Sequence, residues 1–206
     1  LGLSQREGLP LRAGGPRAIY GGEVGYHAFF AELSARFPEC ADPVMRAGAP
    51  RIESFIRCHQ ARREVPVDFV LLGDSHAEHL FPGLAEALPG RNPAYYITAN
   101  APFVGNPGMG RILDSIIHDG AVRTVLVTMY WQQRQAEVPA TSSLEAEVSA
   151  LLRPLSDAGK EVFLVTDVPR FPVEPRDCGK QRWPGATPPS CAMSRAEARA
   201  QLAGYL

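Results

Sequence analysis

The chain has 206 residues and a formal net charge of −1, with 45% hydrophobic residues, enough for one compact domain with a substantial core. Its 21 Lys and Arg form no long cluster, which argues against a nucleic-acid-binding surface. No apolar run approaches the roughly 20 residues that span a bilayer.

Residues 1–25 are Gly-rich and polar with little periodicity, as in a linker or surface-wrapping extension. They carry no secretory signal pattern, and without an initial Met the chain reads as an excised domain or mature fragment. Phe29, Phe30, Leu33 and Phe37 predict a short helix over 26–37 that packs on the main body. Residues 1–37 are therefore expected to be an extension of a domain spanning 38–206. Residues 38–66 hold the first cysteine pair and are expected to be loop.

Residues 67–72 form a nearly continuous apolar run, as in a strand covered on both faces of a parallel sheet. Gly73 lets the chain turn without a Cβ penalty. Ser75 is expected at the N-cap of a helix whose apolar face is Ala77, Leu80, Leu84 and Leu88, with Pro82 restarting or kinking it. A serine at that position stands at the carboxyl end of a strand, where open α/β sheets bind ligands, close to backbone amides and the positive helix end. Ser75 is the candidate nucleophile; the alternative is a capping Asp-Ser pair with no chemistry.

A second strand is predicted over 94–98, followed by a Gly, Pro and Asn loop to 110 on the same sheet edge as Ser75. A helix over 111–119 stops at Gly120, and a third strand covers 122–128. The next helix is expected to open on a Ser142–Glu145 capping box, with Leu144, Val148, Leu151, Leu152 and Leu155 inward and Gly159 closing it. Residues 162–167 give a fourth strand. Six prolines make 169–189, which holds Cys178 and leads to Cys191 of the second pair, an irregular excursion. A last helix over 194–206 starts at a Ser cap, with Ala196, Leu202 and Leu206 inward. Strand and helix alternate through short links, which predicts an α/β three-layer α/β/α sandwich on a central, mainly parallel sheet.

Neither cysteine pair has C-x-x-C spacing, and no histidine follows His118 to complete a metal set with the second pair. Of three possible connectivities the favoured one is local, Cys40 with Cys58 and Cys178 with Cys191. Each bridge would contribute roughly 3 kcal/mol and point outside the cytosol; four unrelated buried thiols are the alternative.

The string Gly73-Asp74-Ser75-His76-Ala77-Glu78-His79-Leu80-Phe81-Pro82-Gly83-Leu84 resembles the first block of the SGNH/GDSL hydrolase superfamily. It is closer still to the extracytoplasmic SGNH domains fused to family-three membrane acyltransferases, which O-acetylate surface polysaccharides. The segment Gly8-Leu9-Pro10-Leu11-Arg12 and the strand end Met129-Tyr130-Trp131 share that likeness. The resemblance implies Ser75 as nucleophile and an oxyanion hole drawn from the Ser75 N–H and the loop bearing Asn100, Gly105 and Asn106. Asp74 and His76 border the pocket, and Asp74 either fixes the turn or serves as the triad acid. His79, Tyr130 and Trp131 are candidate substrate contacts, with Tyr130 and Trp131 either stacking on a sugar or belonging to the core.

The family's late Asp-x-x-His motif is absent from these residues, so base and acid are expected from a C-terminal segment outside the chain; His79, four positions after Ser75, is the substitute. The third strand also lacks the superfamily's Gly-x-Asn-Asp ending, which leaves one oxyanion donor unassigned. The implied activity is serine-dependent O-acetylation of a surface polysaccharide through an acyl-serine. The domain would need no metal or cofactor of its own, its acetyl group coming from acetyl-CoA through an upstream integral-membrane acyltransferase domain of the same polypeptide. The implied partner is a glycan acceptor, and the implied location is the periplasm, tethered to the inner membrane. An acetyl-esterase of the same fold and an inactive glycan-binding module are the alternatives.

Overall fold

The computed structural model describes residues 26–166, 168–171 and 192–203. The 1–25 extension, the Cys178–Cys191 pair and Leu206 lie outside them. Four strands make one parallel sheet: β3 (Phe69–Gly73), β4 (Pro93–Ile97), β5 (Thr124–Thr128) and β6 (Glu161–Leu164), in the order β4-β3-β5-β6. All five residues of β3 and of β4 are buried, which is why these strands read as continuous apolar runs instead of alternating ones.

The central strands are covered on both sides, giving the three layers expected, while β6 leaves Phe163 and Leu164 exposed. Phe69, Leu71, Tyr95 and Ile97 face α1 (Tyr26–Arg36) through Phe29, Phe30 and Leu33, and α3 (Ser75–Ala87) through Ala77 and Phe81. Val70, Leu72, Tyr96, Val125 and Val127 face α4 (Met109–His118) through Ile112, Leu113 and Ile116, and α6 (Leu144–Asp157) through Leu151 and Leu155. A smaller cluster of Ala101, Phe103, Met129, Trp131 and Val148 closes the carboxyl end beneath α5 (Trp131–Arg134).

Residues 38–66 are more ordered than a loop. Asp42 caps α2 (Pro43–Gly48) by accepting from the Val44 and Met45 amides, and β1 (Arg51–Ile52) pairs antiparallel with β2 (Phe55–Ile56). The Cys40–Cys58 disulfide ties this segment together, and the Gln60↔Ala94 bridge lays it along β4. It thereby covers an edge that would otherwise leave unpaired backbone groups.

Several local readings shift. The cap of α6 is Ser143, accepting from Ala146 N, so the Ser142–Glu145 box does not form. Gly159, at φ 74°, closes α6 with Gly159 N on Ser156 O and Lys160 N on Leu155 O. Gly120 plays no such part, because α4 ends at an extended Asp119. Helix α3 runs through Pro82 to Ala87 as one element, and its buried face is Ala77, Glu78 and Phe81, while Leu80 is 40% exposed. Ser194 and Glu197 do form a capping box on α7 (Arg195–Leu202), but that helix has no buried residue and Ala196 is exposed.

Candidate functional site

The site is built where β3 stops. A Cβ on Gly73 would stand 1.7 Å from the Thr128 carbonyl oxygen, so glycine is required by the close approach of β5. No left-handed turn is involved, since the positive-φ glycines among the described residues are Gly108 and Gly159. Asp74, not Ser75, is the N-cap: its Oδ1 accepts from His76 N at 2.9 Å. Its backbone carbonyl accepts from Ala77 N and Glu78 N. Three of the four leading amides of α3 are thereby satisfied, and Ser75 N–H is left without a partner among the described residues. Ser75 is the first helical residue and half-buried, and no described residue hydrogen-bonds its hydroxyl. A hydroxyl and an amide of the same residue thus stand open at a helix N-terminus, the geometry for an attacking oxygen and a developing oxyanion.

Asp74 is held from the other side. Its Oδ2 accepts from Arg134 Nε at 2.7 Å and from Tyr130 N at 3.1 Å, and Asp74 and Arg134 are both buried. Arg134 also pairs with Glu137, whose Oε2 accepts from Ala101 N at 2.7 Å. These two carboxylates hold the Arg134 guanidinium protonated against the burial that works the other way. One chain of charge-assisted bonds therefore joins the ends of β3, β4 and β5 and fixes the backbone around Ser75. With both oxygens engaged, Asp74 caps the helix and ties the turn. Arg134 and Glu137 escaped the sequence reading. Their signal is a charged pair three residues apart just past a buried strand, which is indistinguishable from a surface helix pair without the fold.

His76 stacks on Tyr130, with centroids 4.9 Å apart and planes 13° from parallel, and His79 lies next in the row at 6.3 Å. His79 also meets the Phe29 ring edge-on. Desolvation, then the neighbouring His76 and Arg57, lower the His79 pKa from its ordinary value, against a smaller opposite pull from Asp74. Of the other histidines, His27 sits near Glu53 and His118 near Asp114, while His59 is enclosed on the α1 side of the sheet.

A family model described as the SGNH domain fused to AT3 domains matches residues 40–206. The chain belongs to that family. No curated protein and no solved structure matches it.

In this SGNH domain the oxyanion candidates of the β4–α4 loop fall differently. Asn106 donates through Nδ2 to the Ala101 carbonyl and holds the loop's own shape. Asn100 is exposed and accepts from Thr98 Oγ1 through its backbone carbonyl, and Gly105 is exposed with open space around it. Trp131 is 3% exposed, and its Nε1 donates to the Val165 carbonyl. It belongs to the core and has no face free for a sugar; Tyr130 is half-buried and stacked on His76.

The SGNH domain carries a further buried polar chain. Arg57 holds the fully buried Glu78 through Nε at 3.1 Å and Nη2 at 2.5 Å. Burial, and then the nearby Glu78 carboxylate, raise the Tyr95 pKa, and the Tyr95 hydroxyl is 2.9 Å from His59 Nδ1. The other ring nitrogen, His59 Nε2, is 3.3 Å from Ser34 Oγ, so each nitrogen has a hydroxyl partner. Burial lowers the His59 pKa to about 4, which leaves the ring neutral at pH 7. Among the described residues no three His, Cys, Asp or Glu side chains group as metal ligands, and no helix is long and apolar enough to cross a membrane.

Proposed function

We propose that this SGNH domain is an acyl-transfer module that moves an acetyl group to a glycan hydroxyl through an ester on Ser75. The Ser75 oxygen adds to the acetyl carbonyl and gives up its proton to a base, while the negative charge on the carbonyl oxygen falls to the Ser75 N–H. Collapse expels the donor group, which leaves with a proton, and an acetyl-serine remains. A sugar hydroxyl then attacks that ester, loses its proton and restores the Ser75 hydroxyl.

The observation that carries this reading is the open hydroxyl and open amide of Ser75 at the start of α3, behind a turn locked by Asp74 and Arg134. The fusion named in the family description supports an AT3 membrane domain in the same polypeptide as the source of the acetyl group, drawn from acetyl-CoA. The Cys40–Cys58 bridge supports an extracytoplasmic, periplasmic setting.

The test is a serine-reactive fluorophosphonate and p-nitrophenyl acetate applied to the intact polypeptide, with and without a glycan acceptor. Adduct on Ser75, with turnover accelerated by the acceptor, is expected. Turnover indifferent to the acceptor would make the protein an esterase, and absence of any Ser75 adduct would leave a glycan-binding module. His76→Ala and His79→Ala are expected to slow labelling less than about tenfold, because neither ring bonds Ser75 Oγ; loss of a general base costs about 10²–10⁴-fold.

A further inference from the structure

Against the β4 edge, the disulfide-tied segment and the β4–α4 loop enclose a cleft of about 330 Å³. Among the described residues its lining contains two arginines, Arg57 and Arg111, and no Asp or Glu. The charge of Arg57 is already matched by Glu78. Arg111 has neither a carboxylate nor a hydrogen-bond acceptor among the described residues. A Cβ on Gly48 would lie 3.5 Å from Arg111 Nη2, and one on Gly108 would lie 3.9 Å from it. Two glycines therefore flank the guanidinium and leave it uncovered. An arginine offers a planar fork of donors that fits a carboxylate or phosphate two-pronged, and an uncompensated one at a concave site attracts such a group.

We propose that this cleft is an anionic-sugar subsite, with the carboxylate or phosphate of the acceptor on Arg111 and its ring between Tyr96, Ile97, Thr98 and Asn100. The volume suits one monosaccharide unit, and the wall is part apolar and part polar, as sugar faces are. Two links join the cleft to the reacting serine. Thr98 N donates to the Gly73 carbonyl at 3.2 Å, two residues before Ser75. Arg57 grips Glu78, three residues after Ser75 and so about 4.5 Å along the helix axis. These bonds tie the wall of the cleft to the turn and the helix that carry Ser75.

The proposal rests on the acyl-transfer reading for its role, but its test does not depend on turnover. Ligand-observed NMR titrations of the intact polypeptide would use D-glucuronate, glucose 1-phosphate and D-glucose as probes. At least one anion should bind ten-fold or more tightly than glucose. That preference should weaken with added salt, fall ten-fold or more in Arg111→Gln and be partly retained in Arg111→Lys. Preference for glucuronate assigns a carboxylate, and preference for the phosphate assigns a phosphoryl group. Because Arg111 bonds no described residue, both variants are expected to keep the parent melting temperature, which is measured alongside. Equal binding of all three sugars, or anion binding unchanged in Arg111→Gln, would overturn the subsite. Ser75→Ala should bind the anion as the parent does. Failure of Ser75 labelling with Arg111-dependent binding intact would therefore count against acyl transfer alone, and the converse against the subsite alone.

Discussion

At the scale of single residues, the site depends on a glycine, a cap and an arginine more than on the serine itself. Gly73 has no room for a Cβ, because the obstacle is the backbone oxygen of Thr128 and not a side chain that can swing away. Gly73→Ala should lower the unfolding free energy by about 3 kcal/mol, read as a shift in urea midpoint. Ser75→Ala should change it by less than about 0.5 kcal/mol, since the cap is Asp74 and the serine hydroxyl bonds no described residue. His59 supplies a pH signature. Its pKa in the folded state, about 4, lies below the ordinary value of 6.5, so between those values the unfolded chain holds a proton that the folded chain does not. Stability should therefore be full above about pH 6.5 and fall as pH drops towards 4, by about 3 kcal/mol in all. Urea titrations across that range should show the slope, and His59→Gln should flatten it; should the variant unfold, the parent's His59 ring resonances should still not titrate above about pH 5.

At the scale of elements, what was legible followed periodicity and length. The runs of β3 and β4 and the stripe of α6 were plain because burial on both faces, or on one face every three to four residues, leaves a pattern. The short pieces left none: α2 has six residues, and β1 and β2 have two each. What orders them is a long-range tie, the Cys40–Cys58 bridge, together with pairing along β4. Buried charge was equally illegible. Glu78 reads as a solvent position of an amphipathic helix until Arg57 and Tyr95 are brought against it, and their arrival turns the apolar face towards Phe81 and leaves Leu80 outside. The same bridge yields a prediction. With its cysteines 18 positions apart, reducing it should cost roughly 3 kcal/mol of stability. It should also loosen the wall of the Arg111 cleft. Hydrogen exchange at α2 and β1–β2 should rise on reduction while β3 and β5 amides stay protected; uniform exchange across the domain would show the segment is not a separate unit.

At the scale of the molecule, the parallel sheet brings three strand ends to one edge, and the Asp74–Arg134–Glu137 chain locks them there. The nucleophile candidate was legible because a Gly-Asp-Ser turn after a buried strand is a local feature. The polar chain behind it was not, because its members are 60 positions apart at Asp74 and Arg134. The account stands on Ser75 accepting an acyl group. The most direct measurement is the intact mass and peptide map of the full polypeptide after fluorophosphonate treatment, beside Ser75→Ala. One adduct on Ser75, absent from the variant, is predicted; an unmodified Ser75, or an equal adduct in the variant, would contradict it.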